Sequence, residues 1–148
     1  MIITYKEILA ILRDSPNFES LLMFDRVFRG DDTFFVPSRK WYETEFFSWY
    51  ELQLKHYHVR DYEASWDCDK FANAFQVFAN ICHAYTEPQA TEGIAVAEIH
   101  YLPDNSDSRH AINAVIVDHN QLKFIEPQKP SFMDLSTSEQ KSINFMKW

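Results

Sequence analysis

The spacing of apolar residues changes once along this chain, close to Thr86-Glu87-Pro88. Before this point apolar residues recur every three or four positions, as they do on the buried face of a helix. After it they alternate with polar residues in segments separated by turn sequences, which is typical of antiparallel strands. Helices followed by an antiparallel sheet predict an α+β fold. We expect one domain over residues 1–148, a length that can bury a real core.

Three helices are predicted before the central segment. Thr4 and Glu7 have the spacing of a capping box at the start of the first helix. Ser15-Pro16 reads as an N-cap followed by proline at the first position of the second helix, which we expect to reach Phe28. The third is predicted over about residues 43–56, and a last short helix is expected after Ser136.

The most informative segment is SWDCDKFANAFQVFANICHAY, which predicts a long buried helix. Phe71, Phe75 and Cys82 fall on one apolar stripe, and Asp67 or Ser65 is the expected N-cap. Cys68 then lies in the first turn, where unpaired N–H groups and the helix dipole favour a thiolate. Its own backbone N–H could donate to an oxyanion. The two cysteines lie roughly 21 Å apart along one helix, too far for a disulfide.

The sheet is predicted to contain strands over about residues 93–102, 110–117 and 122–125. If residues 118–120 form a three-residue loop with Asn120 in the left-handed conformation, Val117 pairs with Gln121. Counting outward from this pair places His110, Glu126 and Gln128 on one face of the sheet. A two-residue loop would instead pair Glu126 with Asn113 and move it to the other face.

The residues WDCDKFA, RHAINAVIV and FIEPQ together resemble a papain-like cysteine peptidase domain. That domain occurs at the C-terminus of the Marasmius-type fungal agglutinin and in related small bacterial and phage proteins. The resemblance implies a papain-like (transglutaminase-like) α+β fold, with the catalytic cysteine at a helix N-terminus packed on a small antiparallel sheet. It places the nucleophile at Cys68, the histidine at His110 and the orienting glutamate at Glu126.

The chemistry implied by the resemblance is acyl transfer by a cysteine peptidase or amidase, a thiol protease with a Cys-His-Glu catalytic triad. Trp66, Gln128 and Asn113 are the expected supporting residues. No cofactor is required for this chemistry. The related agglutinin domain depends on calcium, so Asp67 and Asp69 are candidate calcium ligands, although Lys70 stands where relatives often carry a second acid.

Composition limits the expected partners and location. The formal net charge is −8 and no cluster of basic residues occurs, which disfavours nucleic acid and anionic membranes as partners. The N-terminus lacks the apolar run of a signal peptide, so we expect a soluble cytoplasmic protein, with leaderless export or a phage-encoded origin left open. A protein or peptide substrate is the expected partner, and the sequence leaves the oligomeric state undefined.

Two alternatives compete with the hydrolase hypothesis. A zinc site is disfavoured because no Cys-x-x-Cys or similarly spaced histidine pair is present. A catalytically silent domain that keeps the fold and serves as a binding or inhibitor module remains open.

Overall fold

The computed structural model describes residues 1–59, 66–118 and 120–148. Within these ranges the α-helices are α1 (Tyr5–Arg13), α2 (Glu19–Met23), α3 (Arg39–Trp41), α4 (Phe47–His56), α5 (Cys68–Thr86) and α6 (Thr137–Ser142). A 3-10 turn (Pro16–Phe18) precedes α2, and a π-helical segment (Tyr42–Phe46) joins α3 to α4. None of these helices is long and apolar enough to cross a membrane.

The strands in the same part of the chain are β1 (Ile2–Thr4), β2 (Val27–Phe28), β3 (Thr33–Phe35), β4 (Gly93–Ile94), β5 (Val96–Tyr101), β6 (His110–Val117), β7 (Gln121–Glu126), β8 (Ser131–Met133) and β9 (Phe145–Lys147). The larger sheet has six strands in the order β2-β9-β5-β6-β7-β8. Neighbouring strands within this sheet are antiparallel, except for β2 and β9, which run parallel to each other. The smaller sheet has the order β1-β3-β4, and β3 is parallel to β4.

The six-stranded sheet carries a hydrophobic cluster on each of its faces. Ile112 and Ile116 of β6 pack into a cluster with α1 and α2. Val115 and Val117, which alternate with them, pack into a second cluster with α4 and α5. Because successive side chains of a strand point to opposite faces, β6 separates two helical layers. The residues of β6 are nearly all buried for this reason.

Local sequence signals account for several helix boundaries. The capping box at Thr4 and Glu7 is present, with Glu7 N–H donating to Thr4 Oγ1 and the Glu7 carboxylate accepting from Thr4 N–H. Ser15 caps the 3-10 turn that begins at Pro16, as predicted. Ser136 caps α6 in the same way. The third predicted helix begins earlier than expected, because Ser38 caps α3 and the helical path continues to His56.

The predicted extent of the second helix is wrong. Its α-helical part ends at Met23, and Asp25 adopts a positive φ of 51°, a conformation that interrupts a helix of L-residues. Val27 and Phe28 pair instead with Met146 and Lys147 near the end of the chain. A two-residue strand is too short to show alternation, so its sequence could not be distinguished from the end of a helix.

The predicted fold class is also wrong. We expected a papain-like arrangement of N-terminal helices on a small antiparallel sheet, whereas the larger sheet has six strands and is mixed. The N-terminal region contributes β1, β2 and β3 as well as helices. β1 pairs with β3, whereas β3 also pairs with β4, and β2 pairs with β9. These partners are distant in sequence, and the local patterns carry no information about such pairings.

We expect Phe75→Ala to lower the free energy of unfolding by about 3–5 kcal/mol, because the side chain is fully buried on the α5 side of the sheet. Its ring packs against the rings of Tyr42, Phe46 and Tyr50. Urea unfolding measures the change. Tyr85→Ala on the same helix is the control, since Tyr85 is 79% exposed and its loss should change stability by no more than about 0.5 kcal/mol. Equal stability of the two variants would contradict this packing.

Candidate functional site

The hairpin of β6 and β7 has the register that brings His110 close to Glu126. Val117 pairs with Gln121 and Asn113 pairs with Ile125. Asn120 has a positive φ of 63°, as the three-residue loop requires, while His119 lies outside the described residues. The His110 Nε2 atom lies 2.9 Å from Glu126 Oε2, within hydrogen-bonding distance. The predicted loop and register are therefore confirmed.

Glu126 is held from two directions. Its Oε2 contacts His110, and its Oε1 accepts a hydrogen bond from the backbone N–H of Gln128 at 3.0 Å. The His110 and Glu126 side chains are each about three-quarters buried. The Tyr101 ring lies 6.0 Å from the His110 ring, and burial, followed by the charges of Glu139 and Glu126, raises the pKa of Tyr101 to about 12. The backbone of Gln128 thus orients Glu126 and Tyr101 lies beside His110.

Cys68 is the first residue of α5, as predicted, and Asp67 is its N-cap. The Asp67 side chain makes no capping hydrogen bond and instead contacts the Lys70 ammonium at 2.7 Å. A hydrogen bond with Asp69 lowers the pKa of Asp67 to about 2, and the same contact raises the pKa of Asp69. The polar sequence around Cys68 therefore forms an exposed network of two acids and one base.

The network is a poor fit to calcium. Ca²⁺ takes six to eight oxygen ligands, whereas Asp67 and Asp69 supply two carboxylates and one of these contacts Lys70. Among the residues that the structure describes, no group of three or more His, Cys, Asp or Glu side chains could hold a metal ion. Calcium binding stays a prediction of the resemblance, and we derive no step through it.

The structure does not join Cys68 to His110. In the described part of the chain the His110 ring is hydrogen-bonded to Glu126, and no hydrogen bond links it to the Cys68 thiol. Strand alternation places His110 on the face of Ile112 and Ile116, whereas α5 packs against the opposite face of β6. The predicted site roles of Cys68 and His110 stay predictions.

Asn113 is the residue of β6 that connects the sheet to α5. It is fully buried, and its Nδ2 donates to the backbone carbonyls of Ala72 at 3.0 Å and Ala97 at 3.2 Å. These contacts link β6 to α5 and to β5, and the supporting role expected for Asn113 stays a prediction. Its Oδ1 is buried without a hydrogen-bond partner among the described residues.

Trp66 borders an open groove on the outer side of α5, which we call the Trp66 groove. Its volume is about 410 Å³, and it is lined by Trp66, Lys70, Asn73, Ala74, Val77 and Phe78. The Trp66 ring meets the Phe71 ring edge to face at 5.8 Å, which anchors the indole to the core. Trp66 was expected to be a supporting residue, whereas Asn73 and Phe78 were not predicted as site residues. The helix was interpreted by its buried apolar stripe, but Val77 on the same helix is exposed. This exposed apolar residue is the signal that could have indicated Asn73 and Phe78.

Comparisons with known proteins give a fold relationship only. No family model matches the chain, and no curated protein matches it. One similar solved structure is described as "PSL1a-E64 complex" (TM-score 0.73, 16% identity, 99% of this chain and 50% of that one). Another is Polyporus squamosus lectin bound to a human-type influenza-binding epitope (TM-score 0.71, 16% identity, 99% of this chain and 49% of that one). The chain thus spans about half the length of the solved chains it matches.

These comparisons correct the identification made from the sequence. Neither structure is described as a peptidase, and one is described as a lectin with a bound glycan epitope. The assignment to a papain-like cysteine peptidase family, with its keywords of hydrolase and thiol protease, is therefore not retained, and the enzymatic activity is withdrawn with it. The likeness to these structures shows the fold alone, and a protein or peptide substrate is not shown.

We expect Asn113→Ala to lower the free energy of unfolding by about 1–3 kcal/mol, because it removes one buried hydrogen bond to the Ala72 carbonyl of α5 and one to the Ala97 carbonyl of β5. The midpoint of urea unfolding reports the change. Asn105→Ala, in an exposed loop, is the matched control and should stay within about 0.5 kcal/mol of the parent protein. If the two variants unfold at the same urea concentration, Asn113 does not hold α5 in place.

Proposed function

We propose that this chain is a carbohydrate-binding module, and that the Trp66 groove holds the sugar. The observation that carries the proposal is the composition of the groove, where aromatic rings lie beside hydrogen-bonding side chains. A pyranose ring has one apolar face of C–H groups and a rim of hydroxyls. It can pack its apolar face on an aromatic ring while its hydroxyls bond to polar side chains.

The groove offers both kinds of contact within α5 and the residues just before it. Trp66 and Phe78 supply aromatic surface, and the ring of Trp66 is held in place by Phe71. Asn73, exposed on the next turn of α5, supplies an amide that can donate and accept. Its Nδ2 donates a hydrogen bond to the Asp69 carbonyl oxygen at 2.8 Å. The amide oxygen of Asn73 is therefore left to accept a hydrogen bond from a sugar hydroxyl.

The fold relationship supports this proposal without carrying it alone. One of the similar structures is a lectin bound to a glycan epitope, but this chain matches about half of that protein. The net charge of −8 favours a neutral sugar over an acidic one.

We expect N-acetyllactosamine, the neutral disaccharide part of that epitope, to bind the folded chain and to shift the backbone amide signals of α5 around residues 66–78 in NMR spectra. Asn73→Ala should weaken binding about tenfold, the effect of losing roughly one hydrogen bond. Trp66→Phe, which keeps an aromatic ring but less surface, should also weaken it. The dissociation constant comes from the same titration.

Asn105→Ala is the matched control and should bind as the parent protein does, since Asn105 lies in an exposed loop and does not line the groove. The proposal fails if the disaccharide causes no saturable shifts, or if the shifts fall on residues away from α5. It also fails if the chain hydrolyses a peptide or an ester and this activity requires Cys68, because the chain would then be a catalyst.

A further inference from the structure

A second concave site lies at the opposite end of α5 from the Trp66 groove. Its volume is about 290 Å³, and we call it the His83 cavity. Phe35 at the end of β3, Trp41 of α3 and Glu45 of the π-helical segment line one side, and His83, Thr86 and Glu87 line the other. This volume is close to the lower limit of roughly 300 Å³ for small-molecule sites, so the ligand must be small.

His83 is a buried polar residue with an unused ring nitrogen. The residue is 3% exposed, and its Nε2 is buried without a hydrogen-bond partner among the described residues. The ring stacks on Phe35 with centroids 4.4 Å apart. Burial lowers the pKa of His83, while the carboxylates of Glu87 and Glu92 oppose this shift. The imidazole is therefore mostly neutral at pH 7 and has one nitrogen that can accept a hydrogen bond.

The rim of the cavity is acidic. Glu45 and Glu87 are exposed and line it, and neither forms an ion pair within the described ranges. The cavity also adjoins the last turn of α5, where the carbonyls of Cys82 and His83 accept from the Thr86 hydroxyl. The C-terminal end of a helix has negative potential, which adds to that of the two carboxylates. Each of these features favours a positively charged ligand.

The walls of the cavity suit the apolar part of such a ligand. Phe35 and Trp41 present aromatic surface, and a cation held near an aromatic face gains further attraction. The Trp41 ring is fixed by stacking on Phe46, with centroids 5.3 Å apart. The cavity therefore combines rigid aromatic walls, an acidic rim and one buried acceptor.

We propose that the His83 cavity binds a small organic cation, a primary amine with an aromatic or compact apolar body. The body packs between Phe35 and Trp41, and the ammonium group lies near the carboxylates of Glu45 and Glu87. The unprotonated ring nitrogen of the neutral His83 side chain is the acceptor for one ammonium hydrogen. This site is independent of the Trp66 groove, and the proposal does not require the chain to bind sugar.

Titration of the folded chain with benzylamine, followed by NMR, tests the proposal. We expect saturable shifts of the amide signals near residues 35–45 and 83–87. Glu87→Gln and Glu45→Gln each keep the shape of the rim but remove a charge, so each should weaken binding about fivefold. Raising the salt concentration should also weaken binding, because the rim carboxylates are exposed. Benzyl alcohol, which has a similar shape and no charge, should bind at least about tenfold more weakly.

Glu51→Gln is the matched control, since Glu51 is exposed on α4 and does not line the cavity. This variant should bind benzylamine as the parent protein does. The proposal is overturned if both rim variants bind as the parent does, or if benzyl alcohol binds equally well, which would indicate an apolar cavity without charge selectivity. Absence of saturable binding at this site would overturn it as well.

Discussion

The strict alternation of β6 is the constraint on which the rest of the structure depends. The apolar side chains of this central strand alternate between the two hydrophobic clusters, one on each face of the sheet. Each face is therefore covered by its own helices. Asn113 ties the strand to α5 through the Ala72 carbonyl. The position of α5 on one face, and of His110 on the other, follows from this arrangement.

Sequence reasoning could predict the elements whose signals are local. The capping box at Thr4, the helix start at Cys68 and the register of the hairpin around Asn120 depend on residues a few positions apart, and all three are confirmed. It could not predict β2 and β9, because short strands show little periodicity and their pairing depends on residues distant in sequence. The expected small antiparallel sheet was wrong for that reason.

In the candidate site, too, some contacts could be predicted from local sequence and others could not. The contact of His110 with Glu126 follows from the register and was predictable, whereas the distance between Cys68 and His110 depends on how a helix packs against the sheet. Motif order along the chain does not determine on which face each residue lies. The His83 cavity is formed by α5 together with β3, α3 and the π-helical segment, so the composition of the helix alone could not reveal it. The Trp66 groove is lined by residues 66–78 alone, and the exposed Val77 was a local signal for it.

The rate at which iodoacetamide alkylates Cys68 tests the central claim most directly, namely that the folded chain does not pair its thiol with the imidazole. The rate is measured near pH 6 for the parent protein and for His110→Ala, with the buried Cys82 as an internal check that the fold is intact. The account predicts rates that agree within about twofold, because in the described part of the chain no hydrogen bond links His110 to the thiol. A fall of about tenfold or more in the variant would contradict it and show that the imidazole activates Cys68.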